Sequence, residues 1–357
     1  MNAPWPRPIE AVSDGLPALP ADGELILRAD RLGMTATIRA HAAPPRVFRL
    51  REGALAEELR VDDDDALMAA RVLAEPDALV SLLPDGFGAP AALELVAWRP
   101  RRRAVLRVRG ERGDTCWLKF LDRKAWRRAE RAFAAFGEAA PPLCLVRPFA
   151  LSAELRAYVA RPAAGASLRE RLQRSEPVQW PLLALALRSL AAMPAAGELP
   201  ELGFDHARAA TVGMLQKACS VWPQLEELVA GIGALRAPRP AAAGLVHGDL
   251  HDKQVFVAGS MVSLIDLEGI GRGDPRIDVA NFVEHLRLRD LQARGEDSGL
   301  ADTVARRCAN GAADRDLRTL RLLVRARLCG VYALRPRWHD LVVRLVHEVA
   351  TGLEELR

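Results

Sequence analysis

"LVHGDLHDKQVFV", Leu245–Val257, places two histidines, two aspartates, a lysine and a glutamine within eight positions, between apolar flanks. The residues up to Val246 read as a short buried strand that runs into a tight turn at Gly248. Gln254–Asp266, "QVFVAGSMVSLID", reads as a hairpin around Ala-Gly-Ser. The polar cluster is therefore expected in a loop held by strands at both ends, with Asp266 emerging close by. Rigid strands that carry a polar loop are a good way to present catalytic groups. His247 and His251 have HxxxH spacing, which makes a zinc pair only on a helix, and Gly248 with the strand before it argues against a helix. A loop of polar residues satisfying one another is the plain alternative.

Two further segments follow outward from the loop, "IDLE" at 265–268 and "GDPRIDVANF" at 273–282. Together with "HGDLHDKQ", in this order and spacing, they resemble the catalytic segment of the aminoglycoside phosphotransferase and choline kinase superfamily. That family's pattern is HGDxxxxN, then a metal-binding Asp after a hairpin, then a GxxxxDLA-like stretch. The resemblance covers the chain from about Leu93 onward. It implies an α+β, two-lobed, protein-kinase-like fold with an antiparallel-sheet small lobe and a mainly helical large lobe, here with an N-terminal extension.

Carried over residue by residue, the resemblance implies that Asp249 is the catalytic base that takes the proton of an acceptor hydroxyl. Asp266 would hold Mg²⁺, an ion suited to hard oxygen ligands. Gln254 stands where the family usually has asparagine as second metal ligand, so this position departs from the pattern. Glu268 would assist the metal directly or through water. Asp278 would hydrogen-bond the catalytic loop, His247 would brace it, and Asp274 would cap the helix after Pro275. His251 would approach the transferring phosphate or stay uninvolved, while Asp252 and Lys253 would face water. The cofactors implied are Mg²⁺ and ATP, with GTP not excluded.

The front half offers its own evidence. Residues 93–98, 104–109 and 115–121 read as three antiparallel strands, and "RKAWRRAERAFAAFGEAAPP" reads as a helix that stops at Gly137. "LCLVRPFAL" and "LRAYVARP" supply two more strands. Among fifty basic residues only four are lysines, Lys119, Lys124, Lys217 and Lys253, so a lysine in an apolar setting asks for a reason. Lys119 falls in the third strand and Glu130 on the next helix, read as its apolar face; the resemblance makes them a clamp for the nucleotide phosphates. The competing reading leaves Glu130 exposed at the stripe's edge and Lys119 on the sheet's wet side. Backbone groups at Val159, Ala160 and Arg161 correspond to the adenine-binding hinge. The expected glycine-rich loop is missing: "WRPRRRAV" stands there, and Arg101–Arg103 read either as a phosphate site or as a solvated turn.

Residues 1–90 read as an extension or small-lobe addition, 91–160 as the small lobe and 161–357 as the helical lobe. Within the first segment, three short strands precede an acidic run, Asp62–Asp65, read as the solvated start of a helix through Leu73 with Asp65 as its cap. Fifty basic residues against forty-six acids give a formal charge of +4 with no basic patch, so no nucleic acid partner is expected. No membrane span and no signal peptide are read, so the expected location is cytoplasmic. The five scattered cysteines read as small buried hydrophobes.

The expected partner is a small molecule bearing a hydroxyl, such as a sugar, amino alcohol, antibiotic or related metabolite; the oligomeric state stays open. From Val279 onward there are fourteen arginines against eleven acids, which leans against a polycationic acceptor. Glu284, His285, Trp338 and His339 are read as core or surface residues before pocket residues. Two rival readings remain: a catalytically weak or inactive nucleotide-binding regulatory protein of the same fold, and a zinc-dependent hydrolase.

Overall fold

A computed structural model describes residues 16–356 apart from 31–32, 41–42, 51–56, 88, 196 and 309–313. The described residues divide into two compact units, one running to Phe133 and including Val146–Ala163, the other of Ala134–Leu145 and the chain from Ala164 onward. Among the described residues no helix is long and apolar enough to cross a membrane.

The first unit is built on antiparallel sheets. Strands β1 (Glu24–Asp30), β2 (Gly33–Ala40), β3 (Ala43–Leu50) and β4 (Glu57–Leu59) form a four-stranded sheet in sequence order. A short helix α1 (Ala69–Ala74) follows, then β5 (Pro90–Arg99), β6 (Arg103–Gly110), β7 (Thr115–Leu121) and helix α2 (Arg123–Ala135). Strand β8 (Leu143–Leu145) belongs to the other unit, whereas β9 (Pro148–Ser152) and β10 (Ala157–Ala160) complete a five-stranded sheet of order β5-β6-β7-β10-β9.

Alternation along these strands sends Ala104, Leu106 and Val108 of β6, and Cys116, Leu118 and Phe120 of β7, to one face. There they pack in a single core with Val47, Leu67, Val72, Leu79 and Phe87 from the first ninety residues. Burying side chains of this size contributes about 1.5–3 kcal/mol each. Exposed pairs such as Arg46–Glu58, about half accessible, contribute about 0–1 kcal/mol, so the apolar face is what binds the N-terminal segment to the sheet.

The acidic run departs from its sequence reading. Val61–Asp63 is a 3₁₀ turn, and the helix begins only at Ala69, without a side-chain cap. Asp64 is buried and accepts hydrogen bonds from Trp98 Nε1 at 2.9 Å, the Arg101 N–H at 2.8 Å and the Ala66 N–H at 3.2 Å. A buried carboxylate needs such donors, and two of the three come from the β5–β6 hairpin, which local sequence does not reveal.

The second unit is mainly helical. After β11 (Ala166–Ser167), α3 (Leu168–Gln173) starts at a capping box of Ser167 and Glu170. Helix α4 (Trp180–Ala192), strand β12 (Glu201–Leu202), helices α5 (Phe204–Cys219) and α6 (Glu226–Gly233), and strand β13 (Gly244–Val246) come next. The hairpin β14 (Val255–Ala258) and β15 (Met261–Leu264) lies between β11 and β8, and β16 (Gly271–Gly273) pairs with β12 and β13. Helices α7 (Arg276–Arg294), α8 (Leu300–Cys308), α9 (Asp314–Ala333) and α10 (His339–Glu355) end the chain. Helix α7 is buried on most sides, its polar residues included, and stops at left-handed Gly295. Of the five free cysteines, Cys116, Cys308 and Cys329 are buried, and Cys144 and Cys219 are half-buried.

Candidate active site

The loop His247–Gln254 runs from β13 to β14. Gly248 sits at φ +84°, where a Cβ would come 2.8 Å from Leu202 Cδ1 and 3.3 Å from the Gly269 carbonyl, so the turn favours glycine. The rest of the loop is fastened to one stripe of α7. Asp278 accepts the His247 N–H at 2.6 Å and the Gly248 N–H at 2.9 Å. Asn281 Nδ2 donates to the Leu250 carbonyl at 2.7 Å. The His285 ring stacks on His251 with centroids 5.0 Å apart, and Arg289 Nε donates to Asp252 Oδ2 at 3.1 Å. Positions 278, 281, 285 and 289 follow helical spacing, so one polar stripe on a buried helix engages five positions of the loop, 247 and 248 together, then 250, 251 and 252.

These contacts leave Asp249 as the loop's outward carboxylate. Its side chain is 58% exposed, whereas His247, Leu250, Asp252 and Gln254 are buried. Arg327 of α9 donates from Nη2 to Asp249 Oδ1 at 3.2 Å and to Asn281 Oδ1 at 2.5 Å. Among the described residues, the loop's proposed base is therefore held by a guanidinium that is itself held by the loop's brace. His247 Nε2 lies 2.8 Å from the Ile265 carbonyl, which ties the start of the loop to the end of the hairpin. Asp252, expected to face water, is fully buried against Arg289.

Electrostatics follow from this burial. Complete burial pushes the Asp278 carboxyl above its ordinary range, against the pull of His247 and of the two N–H donors. Burial pushes His251 below its ordinary value, opposed by Asp249 and Asp252. His285, wholly enclosed, is pushed well below, by burial first and by nearby cations second.

Gln254 and Asp266 lie beside each other at the hairpin's open end. The Ile265 N–H donates to the Gln254 carbonyl at 3.1 Å, and Asp266 follows in a left-handed conformation, φ +60°. Gln254 is buried and its Oε1 has no hydrogen-bond partner. Glu268 is half-buried in the 3₁₀ turn Leu267–Gly269. Among the described residues no three His, Cys, Asp or Glu side chains converge as a metal cluster. The available donors are thus one orphaned amide oxygen and the carboxylates that follow the hairpin. Such a hard, incomplete oxygen set fits Mg²⁺, which keeps waters and substrate oxygens in its shell.

In the sheet unit, Lys119 is buried at 5% exposure. It pairs across β7 with Val105 and Tyr158, and its Nζ lies 5.9 Å from the Tyr158 ring centroid. Phe133 of α2 packs edge-on against the same ring at 5.1 Å. Val159 and Ala160 end β10, and Arg161 follows with its guanidinium over Phe149. Glu130 corrects its sequence reading: it is exposed, between the exposed Arg127 and Arg131, while Trp126, Ala129 and Phe133 are buried. Each residue turns a helix by about 100°, and the single step from Ala129 carries Glu130 out of the apolar stripe.

Sequence reading missed Asn281, Arg289 and Arg327. The signal for the first two was present as polar residues at helical spacing from Asp278. Nothing local marks Arg327. Glu284 is buried between Arg321 and Arg325, and His339 packs edge-on against Trp222 at 4.9 Å, so both hold the helices together. Asp274 accepts the Arg276 N–H at 2.9 Å at the start of α7.

Comparison with known proteins agrees with this organisation. The model of the phosphotransferase enzyme family matches residues 147–323. No curated protein matches the chain by sequence. Among solved structures, choline kinase LicA from Streptococcus pneumoniae is 12% identical with a TM-score of 0.53, covering 80% of this chain and 99% of its own. A choline/ethanolamine kinase family protein from Mesorhizobium loti is 16% identical with a TM-score of 0.51, covering 80% and 99%. Aminoglycoside phosphotransferase APH(3'')-Id from Streptomyces rimosus is 19% identical with a TM-score of 0.50, covering 71% and 98%. These likenesses carry the two-lobed, kinase-like α+β fold. The family match runs through the loop, the hairpin and the bracing helix, and over these residues the chain is similar to the phosphotransferase enzyme family.

Proposed function

We infer that this chain transfers the γ-phosphoryl group of ATP, with Mg²⁺, to a hydroxyl of a small neutral or anionic molecule. The observation that carries this reading is the fastening of the loop to α7, which leaves Asp249 as the loop's exposed carboxylate while Asp252 is buried. A fixed carboxylate can orient an acceptor hydroxyl and take its proton as the phosphoryl group arrives. Arg327, bonded to both Asp249 and Asn281, holds that carboxylate's orientation.

Gln254 and Asp266 would hold Mg²⁺, with Glu268 assisting; the orphaned Gln254 Oε1 supports this assignment. When bound, the ion would neutralise charge on the nucleotide phosphates. Lys119 is proposed to contact those phosphates, and the backbone at Val159–Arg161 to contact the base. Glu130 is not part of the proposal. His251 lies beside the base, held toward its neutral form, and can serve as a hydrogen-bonding neighbour there. Arg327 beside Asp249 makes the acceptor side cationic, which disfavours a polycationic acceptor.

Incubation of the protein and Mg·ATP with a metabolite extract, read by mass spectrometry, should yield a new phosphorylated species. Asp249→Ala should lower its formation on the order of 10³-fold while nucleotide affinity is kept. Unchanged turnover in that variant overturns the assignment. Mg-dependent nucleotide binding without any phosphorylated product supports the inactive regulatory reading instead.

A further inference from the structure

The sheet unit contains a second polar feature that the proposed phosphotransfer does not use. A cavity of about 540 Å³ is lined by seven cationic side chains and only two carboxylates, Asp65 and Asp122. The chain as a whole is nearly balanced, with fifty basic and forty-six acidic residues, so a local excess of five positive charges is not a reflection of composition.

The cations come from elements that hydrogen bonds fix to one another. Arg101 lies in the β5–β6 turn at φ +57°, a strained conformation for a side chain of this kind. Its N–H is held by the buried Asp64, which also holds Trp98. The Asp122 N–H donates to the Arg102 carbonyl at 2.9 Å, and the Arg102 guanidinium returns to Asp122 at 3.2 Å. Arg156 Nη2 donates to the Ala66 carbonyl at 2.9 Å. Three loops are thereby stitched around the cavity before any ligand arrives.

The charges themselves are left unanswered. Asp122 Oδ1 is committed to the Lys124 and Ala125 N–H groups at the start of α2, so the helix end is already capped. Asp65 approaches Arg101 no closer than 3.8 Å. Arg123, Lys124 and Arg127 have no side-chain ion pair among the described residues. Guanidinium groups suit the paired oxygens of phosphate, and the volume falls within the range of small-molecule sites.

We propose that this cavity binds a compact oligoanion, an oligophosphate or a small molecule with two or more phosphoryl groups, at a site separate from the catalytic loop. Its binding strength comes from Arg123, Lys124, Arg127 and Arg131 of α2, and its shape from the pinned arginine turn. The site is independent of the phosphotransferase reading.

Titration calorimetry of the whole protein with sodium tripolyphosphate, without Mg²⁺, tests it. The wild type should bind one equivalent, more weakly as ionic strength rises from about 0.05 to about 0.2 M. Arg123→Gln with Arg127→Gln should weaken binding by about tenfold or more, since two unpaired charges are lost. Both side chains are exposed, so circular dichroism should confirm an unchanged fold. Lys119→Ala should bind as the wild type does, which separates this cavity from the proposed nucleotide site. No heat at ~1 mM probe, equal affinity in the double variant, or loss of binding in Lys119→Ala would each overturn the proposal.

Discussion

Two loops of this protein, the proposed catalytic loop His247–Gln254 and the arginine turn Pro100–Arg103, are held by the same physical device and differ in how they use it. In each, one buried aspartate from elsewhere in the chain accepts main-chain N–H groups at a left-handed residue: Asp278 at His247 and Gly248, Asp64 at Arg101. The proposed catalytic loop gives its left-handed position to glycine and continues along a helix that engages Leu250, His251 and Asp252. The arginine turn gives that position to a charged residue and is fastened at fewer points. The first arrangement fixes one carboxylate to within a hydrogen bond, as proton transfer requires. The second fixes a field of charge, which tolerates looser placement.

The largest expected effect separates the two pins. Asp278→Ala strands two buried N–H groups and should cost about 3 kcal/mol of stability, with loss of transfer. Asp64→Ala strands donors nearer the surface and should cost about 2 kcal/mol, with weakened tripolyphosphate binding and transfer retained. Urea titration with both activity readouts checks this; equal losses of both functions in both variants would erase the contrast.

Acidification should distinguish the loops by sign. Burial lowers His251 and His285, so below about pH 6.5 the unfolded chain takes up protons that the folded loop resists. Stability present above that pH is lost as the pH falls, despite the opposing pull of Asp249 and Asp252 on His251. Asp278, raised by burial, titrates with the opposite sign and partly offsets the loss at still lower pH. Protection against hydrogen exchange, corrected for the intrinsic rate, should fall at Gln254 and Ile265 between pH 7 and 5.5 and stay constant at Arg101 and Arg102. His285→Gln should flatten the change in the catalytic loop.

Smaller effects are expected at the left-handed residues. Gly248→Ala should cost about 1–2 kcal/mol, because the new methyl group also meets Leu202. Arg101→Gly should stay within about 1 kcal/mol, as relief of strain offsets the added freedom of the unfolded chain; thermal denaturation measures both. Least of all, Glu130→Ala should change stability by no more than about 0.5 kcal/mol and leave transfer intact. A large loss of transfer would return Glu130 to the phosphate clamp.

Much of the fold was legible because its signals are local. The three strands over 93–121, the helix ending before Gly137 and the hairpin before Asp266 are set by alternation, helical period and turn residues within one short window. The polar crowding at 247–254 likewise marked the loop, and its spacing to Asp266 and Asp278 marked the family. Glu130 was misplaced because one helical step separates an inward from an outward position, and period alone does not resolve the edge of a stripe.

By itself the sequence determined most of the segments that become strands and helices and which carboxylates stand in the proposed catalytic segment, since both depend on residues near in the chain. Only the tertiary structure decided that Asp64 pins the arginine turn, that Asn281, His285 and Arg289 grip the loop, and that Arg327 reaches Asp249 from 78 residues away. Those are contacts between side chains distant in sequence, where the partner of a buried charge or N–H is fixed by packing and not by any neighbouring residue.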